Sequence, residues 1–137
     1  MSRWWLVVAL GVQAHFGASY LVPLEVKDQG LFAGMLRWVW PWGVGDTGLL
    51  GRMDPAAMPL AGFWMAMAVA VLSALAALAI LGIWVPEGAW RSLAIAAAVL
   101  SLGLMAGFLG PTKLLPILLA IALLGIAALR WGTFEVA

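Results

Sequence analysis

The chain has 137 residues, of which 66% are hydrophobic and 9% charged, and its mean hydropathy is +1.10. A soluble domain carries roughly 25% charged residues, and a water-facing surface cannot be built from so few in a chain this short, so the composition points to a protein embedded in lipid. The net charge of +1 has no basic stripe behind it, which argues against a nucleic-acid partner, and the absence of cysteine removes disulfides, thiolate metal sites and cysteine nucleophiles.

The first segment runs without a charge from Trp4 to Leu24, between Arg3 and Glu25. As a helix it covers about 30 Å, the thickness of the hydrocarbon core. It continues past the length of a signal-peptide core and reads as a membrane helix. Each Leu, Val or Phe at a helix centre contributes about −0.3 to −0.6 kcal/mol to insertion. Gln13, His15, Ser19 and Tyr20 oppose that gain, so this helix should insert with its polar groups turned toward protein.

A long connection follows, residues 25–59. Its centre, Leu31 to Trp42, reads LFAGMLRWVWPW. It is apolar but too short to span, and Trp38, Trp40 and Trp42 favour the headgroup level, so an interfacial or re-entrant segment is expected. Asp54-Pro55 is a helix-start signal. The second span is expected at 60–85, the third at 90–109 and the fourth at 114–131. Gly110-Pro111 separates the last two, with Thr112 placed to cap the fourth. Lys113 and Arg130 bracket that span closely and are expected to snorkel outward. The short turns between spans 2, 3 and 4 make antiparallel neighbours. The expected fold is one all-α membrane domain over 1–137: a four-helix bundle with a Trp-rich interfacial segment between helices 1 and 2, and with both termini on the same side.

Two groups of residues stand out. Gly62, Ala66, Ala70 and Ala74 recur every fourth residue on the second span, and Gly103 and Gly107 form a GxxxG on the third. Small residues let membrane helices approach closely, within one chain or against a partner. The second group is the sole histidine, His15, with Ser19 and Tyr20 on the first helix and Arg37, Trp38, Trp40 and Trp42 in the connection. A junction of these residues offers a guanidinium for a carbonyl or anionic group and indoles for an apolar body. A histidine in a membrane helix invites a functional reading, but a neutral imidazole bonded to a neighbouring helix or to Ser19 is the favoured account. No spacing selects a metal site, a catalytic dyad or a phosphate-binding loop.

The stretches RWWLVVALGVQAHFGASYLVPL and MAGFLGPTKLLPILLAIALLG give the chain a plan that resembles the DoxX-like group of small four-helix bacterial membrane proteins. The resemblance is one of architecture and covers most of the chain. It implies an accessory role near quinone-linked redox systems in a bacterial cytoplasmic membrane, and it transfers no catalytic residue. The leading expectation is a non-catalytic subunit or accessory protein of a membrane complex, in contact with lipid and with a protein partner or a second copy. No cofactor is expected, although a lipid or quinone is compatible with the junction. One alternative is a binder or enzyme for a lipophilic molecule (quinone, lipid or polyprenoid) at the junction of helix 1 and the interfacial segment. Another is a pigment-binding subunit with His15 as axial ligand.

Overall fold

The computed structural model describes residues 2–22, 33–39, 41–42 and 58–129. Among them all regular structure is helical and no strand occurs. Helix α1 (Arg3–Ala18) tightens into a 3-10 turn, Ser19–Leu21. Helix α2 (Ala33–Val39) lies in the long connection. Helices α3 (Met58–Leu81), α4 (Trp90–Gly107) and α5 (Leu114–Ala128) follow, and 3-10 turns at Glu87–Ala89 and Pro111–Lys113 lead into α4 and α5. Three segments are long and apolar enough to cross a membrane: Leu60–Leu81, Glu87–Gly107 and Pro111–Ala128.

Local chemistry sets the ends of these helices. Ser2 caps α1 by accepting the Trp4 N–H at 3.4 Å. Helix α3 stops at Leu81, short of the expected 85, because Gly82 takes φ +69°, a left-handed conformation that costs glycine little. The Val85 N–H then closes on the Ile83 carbonyl at 2.7 Å, with Trp84 held between them at φ +59°. Such a three-residue turn on a bulky residue is strained, by roughly 1–3 kcal/mol, and it leaves the indole 94% exposed. Helix α4 ends at Gly107 rather than 109, because Phe108 leaves helical geometry while its N–H still reaches the Leu104 carbonyl at 3.0 Å. Helix α5 ends at Ala128; the expected extension beyond 129, the Asp54-Pro55 signal and Arg130 lie outside the described residues.

Helix α3 packs against both α1 and α4, α5 packs against α4, and α5 also touches α1. The interior divides into two clusters. One, at the end holding the start of α1, gathers Leu6, Leu10, Ile80, Trp90 and Leu123. The other, at the opposite end, gathers Tyr20, Trp42, Leu104, Met105 and Phe108. Only 28–39% of each of the three apolar segments is buried inside the protein. Their outward faces carry Leu60, Trp64, Val71, Val99, Leu118 and Ile121. This surface has hydrocarbon as its natural solvent, as in an integral membrane protein.

The closest backbone approach is between α1 and α3. A Cβ on Gly17 would stand 2.7 Å from the Ala66 carbonyl oxygen and 2.9 Å from the Ala70 nitrogen. One turn away, a Cβ on Gly62 would meet the Tyr20 hydroxyl at 3.1 Å and the Phe108 ring at 3.2 Å. The stripe Gly62, Ala66, Ala70 is therefore turned inward onto α1. Ala74 is not part of it. Each four-residue step overshoots a helical turn by about 40°, so by Ala74 the stripe has rotated outward and Ser73 takes the inward place. On α4, Gly107 is buried and Gly103 is exposed, and a Cβ on Gly103 would meet nothing nearer than the tip of Met65 at 3.9 Å.

Gly17→Ala is expected to lower stability by about 1–3 kcal/mol, the usual cost of overpacking a tight contact. Gly11→Ala, where no atom lies within 4 Å of the new Cβ, should be neutral or gain up to about 1 kcal/mol from helix propensity. Thermal unfolding of the two variants in the same detergent distinguishes them; equal melting temperatures would mean that α1 and α3 do not meet at Gly17.

Candidate functional site

Among the described residues, several polar side chains meet where the end of α1, the α2 segment and the turn before α5 come together. At Ser19–Leu21 the chain changes from α to 3-10 geometry, a change that leaves carbonyls of the last α-turn short of their regular donors. The Phe16 carbonyl accepts the Ser19 hydroxyl at 2.7 Å and the Trp42 indole N–H at 2.6 Å. One residue earlier, His15 Nε2 lies 3.0 Å from the Val39 carbonyl at the end of α2. A carbonyl can only accept, so Nε2 carries the hydrogen of this bond.

The same segment is gripped from its other side. The Pro41 carbonyl accepts the Thr112 hydroxyl at 3.3 Å and the Lys113 ammonium. Lys113 is 2% exposed, so it does not snorkel outward as the sequence suggested. Thr112 likewise does not cap α5; its hydroxyl is turned to the segment instead. The cause is shared: beyond the end of α2 the Pro41 carbonyl has no helical donor, and in apolar surroundings an unbonded carbonyl costs several kcal/mol. Meeting it from the α4–α5 turn offsets that cost and gives the ammonium an acceptor.

Four of the expected junction residues are brought together: His15 on the outer side, and Ser19, Tyr20 and Trp42 buried within. Trp42 is 1% exposed, packed in the cluster with Tyr20, Met105 and Phe108. Trp38 points away and is 40% exposed. The side chains of Arg37 and Trp40 lie outside the described residues. Sequence reasoning missed Thr112, Lys113 and the carbonyls of Phe16, Val39 and Pro41. A lysine placed just inside a membrane span was the available signal for Lys113. Its acceptor is main chain, and no residue type announces that.

The chemistry at this junction is that of a latch: donors on α1, on the segment and on the α4–α5 turn meet backbone carbonyls. No group of three His, Asp or Glu able to hold a metal occurs among the described residues. Compared with protein-family models, with curated proteins and with solved structures, the chain matches none.

Trp42→Phe keeps an aromatic ring of smaller size and removes the donor to Phe16; the lost hydrogen bond and the cavity together are expected to cost about 2–4 kcal/mol, read as a lower melting temperature. In Trp42→Phe and in Lys113→Met alike, tryptic cleavage after Arg37 should accelerate. Unchanged cleavage in both variants would show that other contacts hold the segment.

Proposed function

We propose that the chain is a small, non-catalytic integral membrane subunit or accessory protein, a bundle of four spans with a Trp-rich segment latched onto one end. The observation that carries this reading is the use of the side chains best suited to chemistry. His15, Ser19, Trp42, Thr112 and Lys113 are all engaged with backbone carbonyls of the chain itself. They order a segment: each hydroxyl, the imidazole and the ammonium is bonded to a main-chain carbonyl, and no carboxylate stands among the five.

Two features support α1 as the fourth span. Its α-helical part is about 24 Å long, and the 3-10 turn extends it to roughly the 30 Å of the hydrocarbon core. It also packs along α3, the most hydropathic of the three apolar segments. Four spans put both termini on one side. At that end the Arg3 guanidinium lies 5.6 Å from the Trp4 ring centroid and that of Arg91 5.1 Å from the Trp90 ring centroid. Trp4, Trp5 and Trp84 are exposed there, the pattern of an interfacial belt. The DoxX-like plan and a bacterial cytoplasmic membrane belong to the same proposal, as does a partner protein or second copy within the bilayer.

The geometry favours this reading over a lipophilic-ligand site or a pigment site. The volume beneath the segment is filled by Tyr20, Trp42, Met105 and Phe108, each no more than 3% exposed, so a quinone or lipid would have to displace the segment. As an axial ligand through Nε2, His15 would have to give up its bond to the Val39 carbonyl, leaving Nδ1 alone to ligate.

Two measurements test the proposal. Native mass spectrometry of protein released from its own membrane in mild detergent should show a further polypeptide or a second copy bound; a monomer carrying no partner overturns the subunit role. Because the chain has no cysteine, Ser2→Cys, Gly88→Cys and Gly110→Cys report sidedness cleanly. An impermeant thiol reagent should reach the first two from one side and the third from the other. Labelling of Ser2→Cys and Gly88→Cys from opposite sides would remove α1 as a span.

A further inference from the structure

Between the two core clusters lies a level that neither includes. On α1, Gln13 stands one turn beyond Leu10 of the first cluster and two turns short of Tyr20 of the second. On α3, Ser73 stands between Ala66 and Ala76, and on α4, Ser101 stands between Ala94 and Leu104, each pair again one residue from either cluster. All three polar residues are buried, at 1%, 0% and 2% exposure. They therefore form a polar layer halfway along the bundle.

The register of α1 on α3 brings two members of this layer to the same place. Gly17 lies against Ala66 and Ala70. The helices run antiparallel, so one turn back along α1, to Gln13, corresponds to one turn forward along α3. Ser73 is the inward residue there, since Ala74 faces out. Among the described residues, neither the amide nitrogen nor the amide oxygen of Gln13, nor the hydroxyl of Ser73, has a hydrogen-bond partner. Ser101 of α4 is the third polar residue of the layer, and the other buried α4 and α5 positions between the clusters include Ala97, Ala98 and Ala120, which carry no polar side-chain atom.

Polar atoms at this depth cannot borrow water from the surface, and leaving donors and acceptors unmet in hydrocarbon is strongly unfavourable. Buried water commonly meets such groups, making two to four hydrogen bonds to them. We propose that Gln13 and Ser73 form a binding site for internal water at the centre of the membrane-embedded bundle. Gln13 supplies both a donor and an acceptor, and the Ser73 hydroxyl supplies a second anchor on the facing helix. The site lies inside one chain and does not depend on a protein partner.

The test is water-to-amide magnetisation transfer, measured by NMR on the full chain with ¹⁵N-labelled glutamine in deuterated-lipid nanodiscs. Gln13→Met identifies the Gln13 side-chain signal by its disappearance. The expected result is transfer from water to the Gln13 side-chain amide in the wild type, reduced several-fold in Ser73→Ala. A Gln13 amide that receives no transfer, or that is bonded directly to the Ser73 hydroxyl without water, overturns the proposal. Transfer that Ser73→Ala leaves unchanged overturns the shared site. The wild-type measurement stands even if a variant fails to fold.

Discussion

Where Gly17 meets Ala66 and Ala70, two helix backbones touch with no side chain between them. Much of the arrangement follows from that contact. It sets the register of α1 on α3, which places Tyr20 over Gly62 and beside Phe108. It brings the last turn of α1 to the level of the turn before α5, so that a segment bonded to both can bridge them. Lipid provides no hydrophobic drive for helix association, so close packing and polar contacts between helices must supply it. A glycine facing two alanines is the sequence's means of getting that packing.

The second constraint is the carbonyl group. In water a helix end or a bend can leave its carbonyls to solvent; in a bilayer each must find a donor in the protein. Phe16, Val39 and Pro41 mark the places where the chain departs from regular helix, and donors converge on them: an indole, an imidazole, two hydroxyls and an ammonium. That need accounts for the positions of His15, Ser19, Trp42, Thr112 and Lys113. Lys113 illustrates the balance: burying an ammonium is costly, yet the alternative here is an unmet carbonyl as well as a charge facing lipid.

Much of this was legible in the sequence, and the limits have physical causes. Long uncharged runs bounded by Gly and Pro identify the three apolar helices, because length and hydropathy alone decide whether a helix can span. Their ends were read two to four residues too long wherever the stop is a backbone conformation, as at Gly82, rather than a change of composition. The small-residue stripe was recognised, but a four-residue repeat drifts around a 3.6-residue helix, so Ala74 falls outside it. His15, Ser19, Tyr20 and Trp42 were expected together at the junction of helix 1 and the connection, and they do lie near one another there, while Trp38 is turned outward. Thr112 and Lys113 were not expected there, because their acceptor is a main-chain atom more than seventy residues away.

A latch whose acceptors are all main-chain atoms has an uneven tolerance to sequence drift. At 16, 39 and 41 the bonding atom belongs to the peptide unit, so the side chain can change freely as far as the latch is concerned, provided the backbone keeps its course. At 15, 19, 42, 112 and 113 the bonding atom is the side chain, and few replacements carry a donor of the right reach. Related chains that keep this architecture should therefore vary on the accepting side and hold steady on the donating side, a one-sided record that a pair of matched side chains would not leave.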